Sequence, residues 1–193
     1  EDDGTLYTVV LFKHESSRAL ERLNHFLKDW DGVAIQTDGL PLYRNPKVNA
    51  PSIKQGCMAH ARRRFHKCVR GLPKALRQTH VAYEFLQDFK ALYCIEREMK
   101  SAGAEDRYRY RRRESLPILN KIRSRLDKLL PITRPSSDLG DALYYLDSEW
   151  NYITRYCDFG ELEIDNNQIE NCVRPFALGR RNWMHAKSAR GAA

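Results

Sequence analysis

Several things are missing from this chain of 193 residues, and each absence excludes something. No apolar run is long enough to span a bilayer, and no signal peptide is visible, so a membrane-embedded or exported protein is not expected. Cysteine has no framework spacing. The five present (Cys57, Cys68, Cys94, Cys157, Cys172) are scattered and odd in number, which sets aside a disulfide scaffold and reads as reduced thiols in a cytosolic protein. No internal repeat and no low-complexity segment occurs, so repeat architectures are set aside too. Acidic residues are absent after Glu170, where the last 23 positions carry five Lys/Arg and no Asp or Glu.

What is present is positive charge. A net charge of +8 and a pI near 9.3 favour a polyanionic partner, with an anionic membrane surface also compatible. The length suffices for one respectable core, with room for an inserted helical subdomain. The chain opens at Glu1 rather than Met, which reads as an excised piece of something longer.

The first third has an α/β pattern. Leu6 to Phe12 is a β-branched apolar run of strand length. Ser16 or Ser17 can cap a helix carrying Leu20, Leu23, Phe26, Leu27 and Trp30 on its inner face. Val33 to Thr37 and Ile53 to Cys57 read as short strands, the second leading into a helix near His60. The middle is helical, with stripes through Phe85, Leu86, Phe89 and Leu92, then Leu119, Ile122 and Leu126, then Leu139, Leu143, Leu146 and Ile153. Breaks fall at Gly71 to Pro73, Ser101 to Gly103 and Pro131 to Ser137. These stripes suit helices packing on one another rather than a cofactor pocket.

The chemistry-bearing candidates are few. In the run from Leu162 to Arg190, Asp165 and Gln168 form a capping box that predicts a helix from Asn166. Ile169, Cys172, Val173 and Phe176 then share one side of it, while Asn166, Glu170 and Arg174 share another. Pro175 is expected to end or kink that helix. Glu170 is either a surface partner of Arg174 or an acid set beside a basic surface. Asp38, before Gly39, sits at the end of a predicted strand, where open α/β sheets place functional groups and where turns also favour Asp-Gly. Two such carboxylates can hold Mg²⁺ or Mn²⁺ together with phosphate oxygens.

Cys57 and His60 form a C-x-x-H pair that matches no strong zinc pattern, so a structural pair at a strand-to-helix junction is the plainer reading. Arg62, Arg63, Arg64, Lys67 and Arg70 follow, and five arginines between Arg107 and Arg113 interleave with Tyr108 and Tyr110. Charge runs are usually solvated faces, but these share one sign and suit nucleic-acid contact.

Four stretches carry a family resemblance. They are IQTDGLPLYR (35–44), GCMAHARRRFHKC (56–68), LEIDNNQIENCVRPFALGRRNWMHAKSARGA (162–192) and, more weakly, PSSDLGDALYYLDSEWNYITRY (135–156). With these the chain resembles the DDE transposases of bacterial insertion sequences of the IS-sixty-six type, over nearly its whole length. The resemblance implies an α/β fold: a ribonuclease H-like catalytic core, incomplete because its first strand is missing, with a mostly helical insertion. Residues 1–70 would be the first part of the core and 71–157 the insertion. Residues 158–193 would be the final core segment, with the third acid and a basic tail.

By position, Asp38 matches the second catalytic acid and Glu170 the third, both as ligands of Mg²⁺ or Mn²⁺. Cys57 and His60 match an accompanying C-x-x-H. Arg62, Arg63, Arg64, Arg174, Arg180, Arg181 and Lys187 fall in segments expected near DNA. The implied function is DNA transposition, cutting and joining strands by metal-dependent phosphodiester transfer. The implied partners are element-end and target DNA and further copies of the chain, in the cytoplasm with the nucleoid.

The departures matter as much. The family's first catalytic Asp lies in a D-E-T-like motif upstream of the Leu6 to Phe12 strand, and no such motif is present. Asp2 and Asp3 fall just before that strand instead. Asn171 and Cys172 stand where Arg and a small residue are more usual in the family. The expectation is a catalytic-domain fragment or a decayed copy, and the alternative function is an inactive remnant that only binds DNA. An unrelated zinc-bound helical adaptor is a third reading.

Overall fold

The computed structural model describes residues 20–39 and 53–182, and the predicted strand at Leu6 to Phe12 lies outside them. The described order is α1 (Leu20–Phe26), β1 (Ala34–Gln36), β2 (Ile53–Gln55), α2 (Met58–Gly71), α3 (Val81–Glu98), α4 (Ala104–Tyr110), α5 (Leu116–Leu129), α6 (Asp138–Ile153) and α7 (Asn167–Asn182).

The ribonuclease H-like α/β core is not what these residues form. They build a mostly helical fold, in which β1 and β2 pair in parallel over three residues each, Ala34 facing Ile53 and Gln36 facing Gln55. The reason is where the apolar area lies. Two three-residue strands offer almost no face to bury, and a pair of strands alone is marginal in water. The helix-period stripes carry nearly all the fully buried side chains instead.

Those stripes assemble a four-helix body. α2 packs on α3 and α6, and α5 packs on the same two helices from the far side, so α2 and α5 are diagonal. Phe65 of α2 lies at the centre, stacked on Phe85 at 4.5 Å and tilted against Phe89 at 5.6 Å. Leu92, Ile122, Leu126, Leu143 and Leu146 complete the core at zero exposure. Helix starts follow local chemistry. Ser137 Oγ accepts from the Gly140 N–H at 2.9 Å, and His80 Nδ1 accepts from the Ala82 N–H at 3.2 Å.

The arginine run at 107–113 has a role its sequence hides. α4 and α5 form one continuous helix interrupted at Arg111–Ser115 by a wider, π-helical turn. That turn carries Arg111 inward, to zero exposure. Its guanidinium meets both oxygens of Glu96, at 2.9 and 2.6 Å, and donates to the carbonyls of Tyr156 and Phe159, each at 2.9 Å. Arg107 donates to Leu162 O at 3.1 Å and to Glu163 at 3.0 Å. Arg111 and Arg107 therefore fasten the segment after α6 rather than forming an open track. Gly160 in that segment lies so close to α4 that a Cβ would fall 1.7 Å from the Ala104 carbonyl oxygen.

At the same end, burial pushes the Cys157 thiol up to about 11 and the Tyr156 phenol well above its ordinary value.

Two outcomes follow from this end of the molecule. Arg111→Met leaves the largely buried Glu96 without its partner, and should lower the unfolding free energy by about 3–5 kcal/mol in urea titrations. The double change with Glu96→Leu should recover much of that loss. Separately, the unfolded chain releases the Cys157 proton near pH 9 while the fold holds it to about 11. Stability contributed by the neutral thiol is complete below pH 9 and is lost as pH rises toward 11, so melting midpoints should fall across that window.

Candidate functional site

β1 ends toward Thr37 and Asp38, and the next residue, Gly39, lies against α6. A Cβ there would sit 2.5 Å from Tyr145 Oη and 3.1 Å from Glu149. The Asp38-Gly39 turn is thus pressed onto the helical body, and burial pushes the Tyr145 phenol up to about 12, with Glu149 adding to it. Asp38 Oδ1 is buried with no hydrogen-bond partner among the described residues. A carboxylate oxygen in that condition is costly unless something beyond the described residues satisfies it.

α7 arrives from the other side. The segment before it is stitched down along its length. Gln36 Nε2 donates to Glu163 O at 3.0 Å and Gln55 Nε2 donates to the same oxygen. The Met58 N–H donates to Ile164 O at 3.1 Å, and the Tyr93 hydroxyl donates to Asp165 at 2.6 Å. Asp165 also accepts from the Asn167 N–H at 3.0 Å. The helix consequently starts at Asn167, one residue later than its capping box suggests, with the cap bond made to Asn167 instead of Gln168. It also runs through Pro175 to Asn182. The missing proline donor leaves the Asn171 carbonyl unpaired within the helix, and Asn171 is exposed, so water can take it.

Asp38 and Glu170 line one open cleft of about 930 Å³, together with Arg63, Arg174, Asn166 and Asn171. Glu170 meets His60 Nε2 at 3.4 Å and Arg63 at 3.6 Å, so its sequence-suggested partner Arg174 is not the one it takes. His60 Nδ1 and Asn166 Oδ1 are buried without partners among the described residues. The apolar side of α7 is uncovered there: Ile169 is 50% exposed and Val173 44%, against the inward placement their spacing suggests. Among the described residues no group of three or more His, Cys, Asp or Glu is arranged to hold a metal. Asp38, with its unpartnered oxygen, and Glu170 are the two carboxylates that the cleft offers.

The other sequence candidates separate clearly. Cys57 is buried at the start of α2, where backbone N–H groups of Asn166, His60 and Ala59 point at its sulfur; burial outweighs them and raises its pKa. His60, three residues on, turns to Glu170, so the pair spans the junction between α2 and α7. Arg62 lies over the Tyr93 ring at 4.8 Å, and Arg64 lies over Tyr145 at 4.0 Å while binding both oxygens of Asp141 at 2.7 Å. Arg63 and Arg174 are the members of the set that reach the cleft. Arg180 and Arg181 fall on the last turn of α7 with side chains outside the described set, and Lys187 lies outside the described residues. The sequence-based reading gave no site role to Gln36, which lines the cleft, nor to Tyr93 and Tyr145, which brace Asp165 before α7 and the Asp38-Gly39 turn. No local pattern singles these residues out, because polar side chains are interspersed along α3 and α6.

Over residues 1–193 the chain matches the family described as Transposase IS66 family, and it belongs to that family. Among its relatives are the Uncharacterized protein y4jD and the Uncharacterized protein y4hP of Sinorhizobium fredii (strain NBRC 101917 / NGR234). Each is 31% identical to it, over 97% and 98% of this chain. The chain spans 37% and 36% of the length of these two relatives. No solved structure matches it. No helix among the described residues is long and apolar enough to cross a membrane.

Tyr93 ties the helical body to the start of the Glu170 helix, and its phenol is raised by burial and by the Asp165 bond. Tyr93→Phe should cost about 1–2 kcal/mol in chemical denaturation, since Asp165 keeps its contacts with Asn167.

Proposed function

We propose that this cleft serves DNA transposition, as part of a transposase that cuts and joins DNA strands by metal-dependent phosphodiester transfer. The observation carrying the proposal is that Asp38 and Glu170, 132 positions apart in sequence, line one open cleft with Arg63 and Arg174. Membership of the Transposase IS66 family supports the same reading.

The donors suit a divalent cation. Asp38 brings a buried carboxylate oxygen lacking a partner among the described residues, Glu170 a half-buried carboxylate, and both are hard oxygen ligands of the kind Mg²⁺ or Mn²⁺ takes alongside phosphate oxygens and water. When bound, such a cation supplies activation of an attacking oxygen and stabilisation of the leaving one. The chain's own groups do the remaining work. Arg63 and Arg174 attract and orient the phosphate backbone. His60 holds one oxygen of Glu170, which keeps the carboxylate at the cleft.

A second reading, binding of DNA without strand cleavage, is favoured by one observation: among the described residues the cleft holds two acids and no third. Two carboxylates bind a divalent cation more weakly than three.

Supplying the upstream acid in a longer protein separates the two readings. Metal-dependent cleavage of element-end DNA is then expected, and Asp38→Asn and Glu170→Gln should each lower its rate by more than the roughly 10–100-fold typical of outer-sphere changes at metal sites. DNA affinity measured without metal should hold steady in both variants. Cleavage by the Glu170→Gln protein at the unaltered rate would remove Glu170 from the site.

A further inference from the structure

Four basic side chains share one stripe of α2. His60, Arg63, Arg64 and Lys67 stand at i, i+3, i+4 and i+7, while Met58, Ala61, Phe65 and Cys68 bury the opposite side. With Asp141 and Tyr145 of α6 they enclose a pocket of about 290 Å³. Arg63 lines both this pocket and the Asp38–Glu170 cleft, so the two are continuous across one guanidinium.

The two arginines and the lysine are held very differently. Arg64 is fixed: both Asp141 oxygens bind it at 2.7 Å and the Tyr145 ring stacks beneath it. Arg63 and Lys67 are 63% and 71% exposed, each with one loose partner, Glu170 at 3.6 Å and Asp138 at 3.3 Å. Exposed pairs of that kind contribute about 0–1 kcal/mol, so a polyanion can displace them at little cost. Arg63 and Lys67 are one helical turn apart, about 6 Å along the axis, a spacing that suits neighbouring phosphates of one strand.

We propose that this pocket is a backbone-phosphate subsite. It takes the phosphate adjacent to the one held in the cleft, with Arg63 shared between the two positions and Lys67 as the second contact. Arg64 and Tyr145 form the rigid wall that keeps the stripe facing outward. The inference rests on the reading of the cleft as a DNA site, and it extends that site along α2 in a defined direction. The basic row of α5 is a poorer candidate, because Lys121 and Arg125 are both bound to the buried Asp88.

The test is a salt titration. Binding of a fluorescein-labelled DNA duplex is followed by anisotropy in EDTA, for the unchanged chain, Lys67→Gln and Lys128→Gln. Lys128 lies on α5, diagonal to α2, and serves as a matched loss of charge. Lys67→Gln should reduce the slope of log K against log salt by about 0.9, the value for one released phosphate contact. Lys128→Gln should leave the slope where it was. Equal slopes for the unchanged chain and Lys67→Gln, with binding intact, would overturn the subsite and spare the cleft. Absence of any binding by the unchanged chain would overturn the DNA reading and the subsite together.

Discussion

A single buried guanidinium holds the architecture together. Arg111 has no exposed surface, and its donors are used on Glu96 and on carbonyls of the segment that follows α6. A buried charge is tolerated only when it is paired and its donors are satisfied, and here the satisfaction comes from main chain more than forty residues away. The π-helical turn that swings Arg111 inward is what makes those bonds possible. Without it, the stretch from Tyr156 to Gly160 would lose its strongest polar tie to the end of the bundle. The start of α7 and Glu170 would then rest on the contacts further along the segment alone.

From that anchor the site is built by successive polar contacts, added to the packing of Ile164 and Leu162 on the core. Arg107 continues along Leu162 and Glu163, Gln36 and Gln55 converge on the Glu163 carbonyl, and Tyr93 reaches Asp165. Each bond alone is modest, but in series they define where the helix begins. Asp38 is placed by a different device, the close approach of Gly39 to Tyr145 and Glu149. Both acids are thus positioned by the helical body, although neither belongs to it. The body acts as a frame, and the cleft is formed by what is attached to that frame.

The electrostatics of the α2 surface follow the same division of labour. Arg62 and Arg64 are spent on aromatic rings and on Asp141, which ties α2 to α3 and α6. Arg63 and Lys67 are left in weak exposed pairs. Neighbouring cations in one short run therefore differ in role because 100° of helix rotation separates consecutive side chains. A net positive charge attracts a polyanion over a distance, and on α2 the cations left in loose pairs are the ones most readily turned to it.

Much of the helical body was legible in the sequence. The stripes through Phe85, Phe89 and Leu92 and through Leu143, Leu146 and Ile153 repeat at the helical period, and burial follows period closely. Asp38 and Glu170 stood out as candidates from local motifs, as did the capping chemistry at Asp165. The expected α/β class was misled by resemblance and by short β-branched runs, which here supply only two three-residue strands among the described residues. The sequence by itself determined which segments of the four-helix body are helical and which of their faces are buried, because those follow from periodicity and side-chain type; the same pattern did not bury the apolar side of α7. Only the tertiary structure decided that Arg111 is buried while Arg63 is exposed, that Glu170 pairs with His60 instead of Arg174, and that Asp38 and Glu170 share a cleft. Those outcomes depend on contacts between residues far apart in the chain, and no local pattern encodes them.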